Sequence, residues 1–163
     1  MSTCPWPIEE LLPHARPMIL LDEVVGRVDG RFVSALTVRE GAPFVAAGRG
    51  APAHVAVEWM AQACGVQVGV EARESGGAVR LGLLLGTRDF RASVAWFAVG
   101  ERLEVSVAPV FRDETMGSFD CVVTRTGTGE ELAKAQLTVY QPEDTAALLA
   151  SQGVQVQGVQ GTR

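Results

Sequence analysis

Pro52-Ala53-His54-Val55-Ala56-Val57-Glu58-Trp59-Met60-Ala61-Gln62-Ala63-Cys64-Gly65-Val66-Gln67-Val68-Gly69-Val70-Glu71-Ala72-Arg73 is the stretch that decides the fold, because it is the one segment that reads as a long helix. Pro52 suits the first helical position, where its missing N–H would be unpaired anyway, and Ser75-Gly76-Gly77 closes the segment. Val55, Ala56, Val57, Trp59, Met60, Ala61, Ala63, Cys64, Val66 and Val68 make it apolar over most of its circumference. A helix of that kind is normally buried. Downstream the pattern changes to that of strands: Val79 to Phe90, Leu103 to Val110, Ser118 to Thr124 and Leu132 to Tyr140. Turn-like segments separate them at Val99-Gly100, Thr115-Met116-Gly117 and Gly127-Thr128-Gly129.

Upstream, Ile8 to Leu12 reads as a short helical turn ended by Pro13. Met18 to Val25 and Phe32 to Val38 read as two strands joined by an Asp29-Gly30 hairpin turn. Gly41 to Ala51 is a loop of small residues. One long helix among about six strands points to an α+β domain with an antiparallel sheet wrapped around the helix. We place that domain at residues 1–142. Residues 143–163 are expected to form a mobile tail, because Gln152 to Gln160 is a Gly/Val/Gln near-repeat without a core pattern, although Ala146 to Ala150 suits a helical turn.

A chain of 163 residues with 47% hydrophobic and 20% charged residues has the makings of one sizeable core and is not a disordered chain. Its formal charge of −5 argues against nucleic acid as the main partner. No apolar run approaches the roughly 18 residues of a membrane span, and the N-terminus lacks the pattern of a signal peptide. Cys4, Cys64 and Cys121 are odd in number and far apart in sequence, with neither metal nor disulfide spacing. A cytoplasmic location is expected.

His54, Glu58 and Gln62 recur at four-residue intervals, within roughly 80° of the helix circumference. Such a stripe either faces water or lines a site. Trp59 and Met60 flank Glu58 in sequence, and a carboxyl beside large apolar groups can hold a proton near neutrality, which suits a general acid. His54 falls in the first helical turn, where the positive dipole end favours a neutral, basic imidazole. Gln67 and Glu71 point to the opposite side and read as ordinary solvent contacts.

Three segments together resemble the 3-hydroxyacyl-acyl-carrier-protein dehydratases of the hot-dog superfamily. Leu12-Pro13-His14-Ala15-Arg16-Pro17-Met18-Ile19-Leu20-Leu21-Asp22 is similar to the family's L-P-H-x-x-P-x-L-L-x-D opening, and Val57-Glu58-Trp59-Met60-Ala61-Gln62-Ala63 to its E-A-x-A-Q helix motif. Leu81 to Arg91, followed by Val99-Gly100-Glu101-Arg102-Leu103, is similar to the strand pair that ends in P-G-D-x-L. The opening, the LLLGTRDF strand and the ending Val139-Tyr140-Gln141-Pro142-Glu143-Asp144 look closest to the divergent dehydratase-like proteins of aryl polyene pathways. The resemblance implies a hot-dog fold and dehydration of acyl chains held as thioesters on an acyl carrier protein or coenzyme A.

One departure bears on chemistry. The family's catalytic histidine sits in a G-H-F-P loop fourteen residues before the helix acid, where this chain has Phe44. Glu58 and Gln62 are retained. Dehydration needs a base beside the thioester carbonyl and an acid for the departing hydroxyl. The chain has two histidines to offer. The preferred assignment makes Glu58 the acid, oriented by Gln62, with His14 as base or polarising group and His54 as the fallback base. Both histidines also admit purely structural roles.

A thioesterase in which Glu58 activates water, and a non-catalytic subunit paired with a conventional dehydratase, remain as alternatives; Phe44 favours the latter. The resemblance implies a dimer, homomeric or with a dehydratase-like partner, and Trp96-Phe97 reads as a loop carrying two exposed aromatics. Arg88, Arg91 and Arg102 are candidates for a carrier-docking patch. No phosphate-binding loop and no Cys/His cluster is present, so neither a cofactor nor a catalytic metal is expected.

Overall fold

Helix α1 spans Ala56–Glu74 and buries residues all round its circumference, among them Trp59, Met60, Ala63, Cys64, Val66 and Val70. The computed structural model describes residues 4–80 and 82–143, together with 147, 150, 151 and 153. Pro52 is not the first helical residue. It is extended, at φ −61° and ψ 148°, and a 3-10 turn at Ala53–Val55 intervenes before α1. The cause is long-range pairing: Ala51–Pro52 (β3) forms a two-stranded ladder with Trp96–Phe97 (β5), and the Ala53 N–H donates to the Ala95 carbonyl. Pairing of β3 with β5 holds Pro52 out of the helical region. The same ladder overturns the reading of Trp96-Phe97 as an exposed aromatic loop. Phe97 is fully buried against Trp59, with ring centroids 4.9 Å apart, and only Trp96 is exposed.

Six antiparallel strands make the main sheet: β1 (Glu23–Val28), β2 (Arg31–Thr37), β4 (Leu83–Ala92), β6 (Arg102–Arg112), β7 (Met116–Arg125) and β8 (Glu131–Tyr140). Their order is β1-β2-β6-β7-β8-β4. The Asp29-Gly30 turn closes the first hairpin with both residues at positive φ, as a tight two-residue hairpin requires. The β6–β7 turn lies at Asp113–Thr115, and Met116 and Gly117 already belong to β7. Asp113 draws the turn in, accepting from the Thr115 and Met116 amides at 2.8 Å each, and these bonds pull its carboxyl below the usual carboxylate range. Leu103, Val105, Val107, Phe119, Cys121, Val123, Ala135 and Leu137 alternate toward α1 and form the core with it. The polar residues between them face outward, as a sheet covered on one face demands.

The chain before β1 lies along α1. Leu11 crosses at Gly69, where an added Cβ would sit 2.2 Å from the Leu11 carbonyl oxygen, and Leu12 packs at Gly65. Only glycine at 69 admits so close an approach. Gln67 is buried, contrary to its reading as a solvent contact. Its amide donates to Glu71, which in turn accepts from Arg112 of β6, so this side of α1 meets the sheet, with Glu71 itself half-buried at the margin. Between β2 and β3, Ala42-Pro43-Phe44-Val45 forms a turn closed by Val45 N–H to Ala42 O, with Phe44 at φ 65°. The expected tail at 143–163 falls almost wholly outside the described residues. Among those described, no helix is long and apolar enough to cross a membrane.

Candidate functional site

Gln62 is 1% exposed and uses its whole amide. Its Oε1 accepts from the Leu20 N–H at 2.8 Å, while Nε2 donates to the Met18 carbonyl at 2.8 Å and to Glu58 Oε1 at 3.0 Å. The two backbone partners fix which end of the amide is oxygen and which is nitrogen, so an N–H is aimed at the carboxyl one helical turn away. Glu58 itself is half-buried at the start of α1. Its sequence neighbours Trp59 and Met60 are turned into the core. The arrangement is a carboxyl with one oxygen held by a fixed donor and the other, Oε2, without a hydrogen bond among the described residues.

The structure brings Glu58 and Gln62 together and joins neither histidine to them by a hydrogen bond. His54 is exposed on the 3-10 turn. His14 is half-buried with its Nδ1 shielded and without a hydrogen-bond partner among the described residues. It lines a cavity of about 260 Å³ with Leu12, Gly65, Val68, Ala72 and Phe119, beside the C-terminal half of α1, and Glu58 is not part of that lining. Phe44, at the position where the resemblance places a catalytic histidine, is turned outward and 53% exposed. A second cavity of about 300 Å³ is walled by Leu20, Asp22, Leu36, Arg39, Pro43 and Trp59.

Arg88, Arg91 and Arg102 do not form one patch. Arg102 opens β6, three strands from β4, a separation of about 14 Å at the usual strand spacing. It is already committed, to Glu23 and to Asp22, and donates to the Thr37 hydroxyl. Arg88 and Arg91 remain together on β4. All three cysteines are free; Cys64 and Cys121, remote in sequence, meet across the core with sulfurs 3.7 Å apart, and burial pushes the Cys64 thiol well up. Among the described residues no group of His, Cys, Asp and Glu is placed to hold a metal. Sequence reasoning found Glu58 and Gln62 but missed the Met18 carbonyl and the Leu20 amide. The signal was the L-P-H-x-x-P-x-L-L-x-D opening, whose backbone, more than its side chains, meets the site.

A six-stranded antiparallel sheet wrapped on one long helix is the architecture of a hot-dog protein. The chain belongs to the ApeP-like dehydratase family, whose model it matches over residues 6–150. It is similar to a chain of the dehydratase heterocomplex ApeI:P from Xenorhabdus doucetiae, with 33% identity, a TM-score of 0.81, and coverage of 90% of this chain and 97% of that one. More distant is a hypothetical thioesterase from Streptococcus pneumoniae solved with coenzyme A, at 16% identity and TM-score 0.55 over 74% of this chain and 84% of that one. The protein smu.793 from Streptococcus mutans, bound to acetyl-CoA, stands at 16% and 0.56 over 80% and 95%. These last two share the fold. No curated protein sequence matches the chain.

Proposed function

We propose that this chain is the acid-bearing subunit of a heteromeric 3-hydroxyacyl-thioester dehydratase of the aryl polyene type, acting on chains held by an acyl carrier protein or coenzyme A. The observation that carries the reading is Glu58 held by the Gln62 amide, which is itself pinned to the backbone of Met18 and Leu20. In the elimination a base takes the proton from C2 of the acyl chain, and the electron pair left behind forms the C2=C3 bond. The C3 hydroxyl departs with the proton that Glu58 delivers, leaving an enoyl thioester and water. Because Gln62 donates to Oε1, that oxygen is the acceptor end of the carboxyl, and Oε2 is the one to carry the proton.

The base comes from a second hot-dog subunit in this reading. Phe44 stands where the family's histidine is expected, and no hydrogen bond links His14 or His54 to Glu58. A relative at 33% identity belongs to a heterocomplex, which supports the same assignment. The test is to follow the intact mass of a 3-hydroxyacyl carrier protein exposed to the purified chain, alone and mixed with a hot-dog dehydratase that keeps its histidine loop. Alone, the mass stays unchanged; in the mixture the carrier loses one water, and Glu58→Gln in this chain abolishes that loss. Dehydration by the chain alone would return the base to His14 or His54, to be separated by His14→Ala and His54→Ala. Release of the acyl group would make the protein a thioesterase, and full activity with Glu58→Gln would make it a non-catalytic subunit.

A further inference from the structure

Between the turn closed by Met18 N–H to Ala15 O and the start of β1, the chain from Met18 to Leu21 belongs to no sheet ladder. Side chains hold its course instead. Gln62 takes the Met18 carbonyl and the Leu20 N–H. The Ile19 carbonyl, which lies between them along the chain, accepts from Arg16 Nη1 at 2.8 Å. Three successive residues are thus gripped by two side chains, one from the helix and one from the segment itself.

Arg16 is itself braced. Its Nε and Nη2 both donate to Glu9 Oε1, at 3.2 and 2.7 Å, and the bond from Arg16 holds the Glu9 carboxyl below the usual carboxylate range. Glu9 stands on the 3-10 turn Ile8–Glu10, and Ile8 and Leu11 are buried in the core, so the brace has a fixed footing. Arg16 and Glu9 are 48% and 50% exposed, and an ion pair so open to water contributes little by itself. What it adds is direction. One edge of a planar guanidinium meets the carboxylate while the remaining nitrogen reaches the Ile19 carbonyl, a fork that lysine cannot reproduce.

We propose that Arg16 is a positioning residue for the Glu58 acid: braced on Glu9, it fixes the Ile19 peptide, and with it the Met18 carbonyl and Leu20 amide from which Gln62 aims its N–H at Glu58. Arg16 makes no hydrogen bond to Glu58 or Gln62 among the described residues, so it acts through the backbone alone. Without the brace, Gln62 keeps its amide but loses its aim, and the carboxyl oxygen it marks as acceptor is no longer distinguished from the other. The inference rests on the reading of Glu58 as the acid, and its test has one arm that does not.

That arm is native-state hydrogen exchange by NMR on Arg16→Met, which keeps the stem and removes the donors. Exchange is expected to quicken about tenfold at the Leu20 N–H and the Gln62 side-chain amide, the size of one hydrogen bond from a charged group. The Gln67 side-chain amide, buried further along the same helix, is the internal reference and stays unchanged. Glu9→Ala gives a smaller acceleration at the same two groups, and the combined variant exchanges no faster than Arg16→Met, because the two residues act in series. Arg16→Lys restores protection only in part. In the mixture with a dehydratase subunit that keeps its histidine loop, Arg16→Met lowers kcat about tenfold with KM kept within about twofold. Unchanged exchange at Leu20 and Gln62, or equal acceleration at Gln67, overturns the inference whatever the enzyme does. So does a raised KM at constant kcat, which would make Arg16 a substrate contact, or faster exchange at Gln62 with kcat untouched. A wild-type mixture that does not dehydrate would instead sink the reading of Glu58 as the acid, and exchange would still decide whether Arg16 holds Gln62.

Discussion

Two buried glutamines on one helix should respond very unequally to the same substitution. Gln62 makes three hydrogen bonds, to the Leu20 amide, the Met18 carbonyl and Glu58. Among the described residues Gln67 makes one, to Glu71, and its Oε1 is buried without a partner. Methionine has nearly the shape of glutamine and no strong polar atom. Gln62→Met leaves the Leu20 N–H without its acceptor, at about 1–3 kcal/mol, and forfeits two further bonds worth about 0.5–1.5 kcal/mol each in net terms. Part of this returns as water reaches Met18 and Glu58, which leaves about 2–4 kcal/mol of destabilisation. Gln67→Met loses one bond to a carboxylate that keeps Arg112 at 2.6 Å, and also removes an unpartnered buried oxygen. Its net effect falls between about −1 and +1 kcal/mol. Urea unfolding reads the contrast: with a slope near 2 kcal/mol per molar, the midpoints should differ by roughly 1–2 M. Coincident midpoints, or a lower one for Gln67→Met, would refute the claim that satisfied and unsatisfied amides carry unequal weight here.

Phe44→Gly should move the melting temperature of the isolated chain by no more than a few degrees, because relief of about 1–2 kcal/mol of left-handed strain offsets the loss of the buried half of the ring and the greater freedom of glycine in the unfolded chain. A fall of more than about ten degrees by differential scanning calorimetry would count against strain in this turn. Gly69→Ala should cost about 2–3 kcal/mol by chemical denaturation, since its Cβ would lie 2.2 Å from the Leu11 carbonyl and the segment before β1 must lift. With a thiol-reactive disulfide reagent, one cysteine, Cys4, should titrate quickly in the native protein and all three after unfolding. Burial of Cys64 and Cys121 in the core, and the raised thiol of Cys64, withhold the other two.

The helix, the Asp29-Gly30 hairpin and the later strands were legible because their signals are local: an apolar run with small residues, a turn dipeptide, alternation at period two. The first strand was misplaced: the apolar run from Met18 reads as a strand to Val25, but β1 is Glu23–Val28, and the backbone of Met18 and Leu20 is tied to Gln62 instead of to a neighbouring strand. What escaped was set by distant partners. Nothing near Pro52 announces that Trp96 and Phe97 will pair with Ala51 and Pro52 and delay the helix. Gln67 reads as polar and therefore outward, yet it is buried, its amide held by a half-buried Glu71 that Arg112 of β6 ties to the sheet. Glu58 and Gln62 were legible as a pair because a helix puts residues four apart on one face. The Met18 and Leu20 backbone groups were not, since main-chain atoms carry no residue identity. Grouping Arg88, Arg91 and Arg102 as one patch failed for a related reason: strand order, which places β6 three strands away from β4, is invisible along the chain.

The way Gln62 is anchored separates two kinds of evolutionary freedom. Its contacts on the segment before β1 are a carbonyl and an amide, so the identities of the side chains at Met18 and Leu20 do not enter the bonds that aim its N–H at Glu58. Those positions can change in size and polarity while the course of the main chain is kept, and the acid stays in place. Leu20 lines the neighbouring cavity and Met18 is exposed. Side chains at these two positions are therefore open to point substitution without loss of the bonds that hold Gln62 against Glu58.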